Sequence, residues 1–226
     1  MKKITQPQLT GTIEDYLSTL FVLERDGMEL LQAELARMFQ VAPPTVTATI
    51  QRMQRDGLVE QGSRGPRLTA AGREAARTVV RRHMLAEWML IRFLKVPLDE
   101  AHLEAHRMEH AISGEVERQL QEQLEEPQAC PHGNPLPGHE ALAAAWTPLT
   151  EARPGRSFLI RRLHERAEEK PGVLPFLVES ALVPGTKIMV KGASAVNDTL
   201  TVEVGKREVT LARHVACFVF GETGGN

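Results

Sequence analysis

The spacing of apolar side chains changes character partway along this chain, and the change limits the folds open to it. In TIEDYLSTLFVLERDG the apolar residues fall at 13, 16, 17, 20, 21 and 23, the stripe of an amphipathic helix that Gly27 ends. Helical segments recur as far as Leu124, shortly before Pro127. Beyond residue 157 the segments TKIMVKG, TLTVEVG, REVTLAR and VACFVFG alternate instead, separated by Gly or Asn-Asp turns, which predicts a small β-barrel. Helices and strands segregated in this way imply an α+β protein. With 226 residues and 42% hydrophobic content, the chain has material for one large domain or two to three small ones.

The first part reads as a DNA-binding module. After the opening helix comes LLQAELARMFQ, then a turn at Gln40 and Val41, then Pro43 and Pro44 opening a further helix, TVTATIQRMQRD, which Gly57 closes. Two short helices joined in this way form a helix-turn-helix. LVEQGSRGPRLT follows as a β-hairpin, the wing of a winged helix, and Thr69 caps the next helix, which runs toward Pro97. Between 50 and 82 there are eight arginines against Asp56, Glu60 and Glu74, whereas between 96 and 130 two arginines face nine acids. A phosphate-facing surface beside a cation-attracting region accounts for that split. Pro44, Thr45, Thr47, Ala48 and Gln51 are placed to approach base edges, the threonines alternatively to meet phosphate. Arg52, Arg55, Arg64 and Arg67 are candidates for phosphate contacts, with Arg64 at the wing tip aimed at the minor groove. For Arg52 and Arg55 the competing reading is a salt-bridged helix surface.

Residues 83–110 carry a second kind of chemistry. His83 and Glu87 are one turn apart, and His102, His106, Glu109 and His110 stand at offsets 0, 4, 7 and 8, one stripe of a helix. If the two segments pack together, imidazoles and carboxylates line a compartment suited to a divalent transition metal. The PQACPHGNPLPGHE stretch reads as loop, and Cys130 and Cys217 as reduced thiols without a chemical role. MKKITQPQLT lacks the apolar stretch of a signal peptide, and the chain has no long uncharged apolar run, so a cytoplasmic protein without membrane contact is expected. The domains expected are a winged helix-turn-helix at 1–75, a helical metal-binding and dimerisation domain at 76–145, a linker at 146–156 and an SH3-like barrel at 157–226.

The order of these parts resembles the diphtheria-toxin-repressor family of metal-dependent transcriptional regulators. The resemblance is carried by TIEDYL, PPTVTATIQRMQRDGLV, LTAAGR, RRHMLAE, HRMEH and PHGNPLPG. It implies a homodimer that binds a palindromic DNA operator when metallated and represses metal-uptake genes. It implies an ancillary metal site of His83, Glu87 and His102, completed by Glu165 and Glu168 from LHERAEE, which are otherwise solvated acids of a dimer-stabilising module. It implies a primary site of Asp15, His106, Glu109 and His110. Iron-type members have methionine at the position of Asp15 and cysteine at that of His106. The harder ligands here put Mn(2+) first and Fe(2+) second, with Zn, Co and Cd as further divalent ions in vitro. Manganese-type members often carry an acid where this chain has Ser18, which argues against a two-metal primary cluster. An enzyme is the rival from another class, but the sequence lacks HExxH and paired Glu-x-x-His motifs, and no small organic substrate is implied. A winged-helix regulator answering to an organic ligand is the remaining alternative.

Overall fold

The computed structural model describes residues 9–28, 32–62, 65–168 and 170–224, and these divide into two units. The first takes the chain up to residue 82 together with 109–111; the second takes 83–108 and everything from 112 onward.

In the first unit α1 (Gly11–Arg25) buries Ile13, Tyr16, Leu17, Leu20, Phe21 and Leu23, the stripe its periodicity predicts. Short α2 (Gln32–Met38) contributes Leu35 and Ala36. The next helix, α3 (Pro43–Arg55), begins on two prolines and turns Val46, Ile50 and Met53 inward. Tyr16 stacks flat on Phe39, with ring centroids 4.3 Å apart, so α1 also covers the turn after α2. The wing is an antiparallel pair, β1 (Val59–Gly62) and β2 (Gly65–Leu68), with Val59 opposite Leu68. Its tip residue Arg64 lies outside the described residues.

Helix α4 (Ala70–Arg92) begins where the Thr69 hydroxyl accepts the Gly72 N–H at 3.0 Å. Glu24 ties three elements together: it accepts the Leu68 N–H at 2.8 Å and pairs with Arg73 at 2.6 Å. Gly72 is required by contact, since a Cβ there would lie 1.8 Å from the Leu58 carbonyl oxygen. Gly72→Ala should therefore cost about 3 kcal/mol and lower the melting temperature by roughly 6–12 °C; a thermal melt within a degree of the parent would show that this approach is not tight.

The second unit holds the remainder of α4, α5 (Leu98–Met108), α6 (Gly114–Gln123) and a sheet-based domain. Ser113 caps α6 by accepting the Val116 N–H. The sheet is antiparallel in the order β3 (Thr147–Pro148), β8 (Val219–Thr223), β4 (Ser157–Leu163), β5 (Lys187–Ser194), β6 (Thr199–Val204) and β7 (Arg207–Ala212). Short helices α7 (Val173–Glu179) and α8 (Arg213–Ala216) lie along this part of the chain. Phe158, Ile160, Leu163, Leu177, Val190, Val202 and Val219 fill its core.

Three expectations change here. The stretch read as a linker, 146–156, already belongs to the barrel: Thr147 and Pro148 pair with Gly221 and Phe220, and Leu149 is fully buried. Its turn residues conceal a two-residue edge strand. SFLIRRL, not among the alternating segments, is the central strand β4, buried on both faces at all but two positions, so period-two alternation is erased. VACFVFG starts as the end of α8 and becomes strand only at Val219.

Candidate metal centres

The first unit brings α1 against a 3-10 turn, Glu109–Ala111. The His110 ring is held at both nitrogens: Nδ1 is 2.5 Å from Glu14 Oε2 and Nε2 is 3.1 Å from Asp15 Oδ1. Adjacent helix residues diverge by about 100°, which lets Glu14 and Asp15 reach opposite sides of one imidazole. Glu109, 3% exposed, places Oε1 3.6 Å from the same Nε2. A Cβ on Gly11 would sit 3.3 Å from the His110 ring, so the start of α1 lies directly on it. Glu14 is absent from the expected ligand set. By accepting the Nδ1 proton it would leave the Nε2 lone pair free to bind a cation on the side of Asp15 and Glu109, the outer-shell role carboxylates commonly play at metal-bound histidines. No helical pattern marks Glu14, because its partner lies 96 residues away. His106 stands one turn before His110, near the end of α5.

The second unit contains a denser cluster. His83 Nε2 lies 3.2 Å from Glu87 Oε1 and 2.9 Å from His102 Nδ1, which joins α4 to α5. Glu168, just past β4, reaches His102 Nδ1 at 2.5 Å. Two residues that sequence reasoning left aside complete the group, Cys130 and His132 of the loop after α6. His132 Nδ1 is 3.3 Å from both Glu87 Oε1 and Glu168 Oε1, while its Nε2 donates to the Leu98 carbonyl at 2.8 Å. The donor atoms of Glu87, Cys130 and His132 all lie within 4.8 Å of one another. Cys130, read from the sequence as having no chemical role, is buried among metal-type donors. The visible signal was Cys-x-His, two donors two residues apart. Of the two acids expected from LHERAEE, only Glu168 is seen at this cluster. Glu165 is turned to Arg162 at 3.0 Å and His164 at 3.7 Å.

The residues fit a divalent cation. Metal–ligand bonds of about 2.1 Å produce ligand–ligand edges of about 3.0 Å in an octahedron and about 3.4 Å in a tetrahedron; His83–Glu87 at 3.2 Å, His132–Glu87 and His132–Glu168 at 3.3 Å and His110–Asp15 at 3.1 Å fall in that range, while His102–Glu168 at 2.5 Å is closer and His110–Glu109 at 3.6 Å wider. Glu87 Oε2, His132 Nδ1 and both Glu168 carboxylate oxygens are buried without a hydrogen bond of good geometry. Four such atoms converging in one interior call for a cation.

Protons do part of that work in the metal-free chain. Burial opposes charge on His102, but the Glu168 and Glu87 carboxylates outweigh it and hold it up to about 10. His132 is likewise raised well above the ordinary imidazole range, against burial, by Glu87 and Glu168. Burial works against the Glu87 carboxylate too, yet His132 with hydrogen bonds from the neighbouring imidazoles holds it well below the usual range. Burial, reinforced by Glu87, pushes the Cys130 thiol up to about 12. Since a metal ligand must shed its proton, metal affinity should rise from neutral pH toward pH 10, by up to about tenfold per pH unit for each proton displaced. Calorimetry at pH 7 in two buffers of different ionisation enthalpy should detect proton release from this cluster; buffer-independent heats would contradict it.

The residues expected to meet DNA, Pro44, Thr45, Thr47, Ala48, Gln51, Arg52 and Arg55, are all exposed on α3, opposite its buried Val46, Ile50 and Met53. Thr47 Oγ1 lies 3.2 Å from the Pro43 carbonyl, and Arg52 makes a loose 3.8 Å pair with Asp56.

A winged helix joined to helices and a barrel bearing metal-type donors defines a metal-responsive DNA-binding regulator. The chain matches the iron dependent repressor N-terminal DNA binding domain over residues 8–65, the iron dependent repressor metal binding and dimerisation domain over 69–138, and the FeoA domain over 147–223. It is 35% identical over 220 residues to the iron-dependent repressor IdeR of Mycobacterium leprae, covering 92% of this chain and 95% of that protein. Among solved structures, a manganese-dependent transcriptional repressor in complex with manganese superposes with a TM-score of 0.82 at 25% identity, covering 93% of this chain and 99% of the other. ScaR with bound Cd2+ superposes with a TM-score of 0.79 at 28% identity, over 93% and 98% of the two chains. The chain belongs to the diphtheria-toxin-repressor family of metal-dependent, DNA-binding transcriptional repressors.

Proposed function

We propose that this protein is a cytoplasmic, homodimeric repressor of metal-uptake genes, activated chiefly by manganese, which binds a palindromic operator when metallated. The observation that carries this reading is the grip of Glu14 and Asp15 on His110 beside buried Glu109, because it joins α1 to the 3-10 turn within the unit that presents α3. Helical spacing adds His106 to that primary site as a further imidazole. A cation supplies the positive charge that fixes α1, and thereby the recognition helices, in one arrangement. Metal and operator then strengthen each other reciprocally, typically by ~1–3 kcal/mol.

His83, Glu87, His102 and Glu168, with Cys130 and His132, form the ancillary centre; Glu165 serves it by holding Arg162. Phe93, Leu94, Leu103 and Val116 are large apolar side chains exposed on or just beyond α4, α5 and α6, which favours a second copy as their cover. Among the described residues no helix is long and apolar enough to cross a membrane. The donors serve as structural and regulatory ligands, so no reaction and no small organic substrate is assigned.

Iron is the second reading, favoured by the 35% identity to an iron-dependent repressor. Asp15 and the imidazoles tip the choice toward manganese, while zinc, cobalt and cadmium act as substitutes in vitro. The test is binding to a duplex selected from a random pool by the metallated protein, titrated anaerobically with manganese, ferrous iron, zinc and cobalt and then with chelator. Manganese should tighten binding about 10–100-fold. Binding indifferent to chelator would overturn the assignment.

A further inference from the structure

The second unit has more donors than one ion needs, and their arrangement is divided. On one side, His83 and His102 meet Glu87, with ligand atoms mutually within 4.8 Å. On the other, Cys130 and His132 meet the same Glu87 within the same limit. Glu87 thus belongs to both triads. Glu168 divides its oxygens between them, Oε2 toward His102 at 2.5 Å and Oε1 toward His132 at 3.3 Å. A carboxylate that turns one oxygen to each of two donor sets has the form of a bridge.

Resting on the reading that this cluster takes metal at all, we propose that it holds two divalent cations together, bridged by Glu87 and Glu168. One position is made by His83 and His102, the other by Cys130 and His132. Glu87 Oε2 and both Glu168 oxygens, buried without a well-formed hydrogen bond, are the lone pairs that a bridge would use. Two side-chain hydrogen bonds set the second position: Trp88 Nε1 donates to the Ala129 carbonyl at 2.8 Å, and His132 Nε2 donates to the Leu98 carbonyl, so the loop is anchored to α4 and to the start of α5 with Nδ1 turned inward. Charge is consistent with two ions. Two carboxylates and a thiolate exceed one dication by one negative charge and fall short of two by one. The positions differ in softness, imidazole and carboxylate against thiolate and imidazole, so the thiolate side should prefer zinc, cobalt or ferrous iron over manganese.

The test uses the full-length chain carrying Asp15→Ala and His110→Ala, which removes the primary site, loaded anaerobically with cobalt(II) and dialysed to equilibrium. Two equivalents per chain are expected, with a sulfur-to-cobalt charge-transfer band and magnetic coupling between the ions. Adding Cys130→Ser and His132→Ala should reduce the count to one and abolish the band, whereas adding His83→Ala and His102→Ala should reduce it to one and keep the band. A single equivalent in the starting chain, or two that are magnetically independent, overturns the bridge; neither measurement on that chain depends on how the cluster variants fold. Metal-dependent operator binding by the unaltered protein is read separately. A one-ion result with metal-dependent binding intact therefore defeats this inference alone, and binding indifferent to metal defeats the function on which it rests.

Discussion

Replacing His110 with alanine should cost at least about 10-fold, and up to about 150-fold, of the metal-induced gain in operator affinity, with little change in the weak binding expected under chelator. His110 is the point at which α1 and the 3-10 turn meet, with Glu14 on one nitrogen and Asp15 on the other. Its loss removes an imidazole donor from between Asp15 and Glu109. Asp15→Ala should act in the same direction. Glu14→Gln keeps a hydrogen-bond acceptor for Nδ1 but loses its charge, so it should weaken metal binding by roughly 10-fold. Anisotropy titrations of the three variants with manganese would distinguish these effects. A His110→Ala protein that still answers fully to manganese would remove the switch from this site.

The second large effect is expected at Gly133, which lies far from the first switch in sequence. Its φ of +86° belongs to the left-handed region, and a Cβ would stand 1.9 Å from the Arg161 carbonyl oxygen of β4. Gly133→Ala therefore cannot be accommodated without moving the loop. That loop is fixed on both sides: the His132 carbonyl accepts the Leu163 N–H at 2.8 Å, and Asn134 donates to the Leu163 carbonyl at 2.9 Å while accepting from Arg162 Nε at 2.6 Å. Shifting it dislodges Cys130 and His132 along with these bonds. A loss of about 3 kcal/mol or more is expected, with loss of the cobalt–thiolate band. An alanine variant of unchanged melting temperature and metal spectrum would mean that the loop is not held this way.

Helical stripes and the prolines opening α3 made the winged helix legible, because those elements are locally determined and half-buried. Strands β5, β6 and β7 of the barrel were legible for the same reason. Strand β4 was not, since burial on both faces leaves no alternation. Ligands on one helix, such as His83 with Glu87, declare themselves by spacing. Cys130 and His132 sit on irregular backbone, and their convergence with Glu87 and Glu168 is produced by long-range packing. Glu165 and Glu168 show the opposite difficulty. Three residues apart in sequence, they look interchangeable, but the chain turns after β4 and Arg162 takes the first while His102 meets the second.

The claim at the centre is that one cation fastens α1 to the turn behind α5. Anomalous diffraction at the manganese edge from crystals of the manganese-loaded protein measures this directly. The account predicts a peak about 2.1–2.3 Å from a carboxylate oxygen of Asp15, from Glu109 and from His110 Nε2. Manganese found elsewhere, with these three side chains unligated, would contradict it.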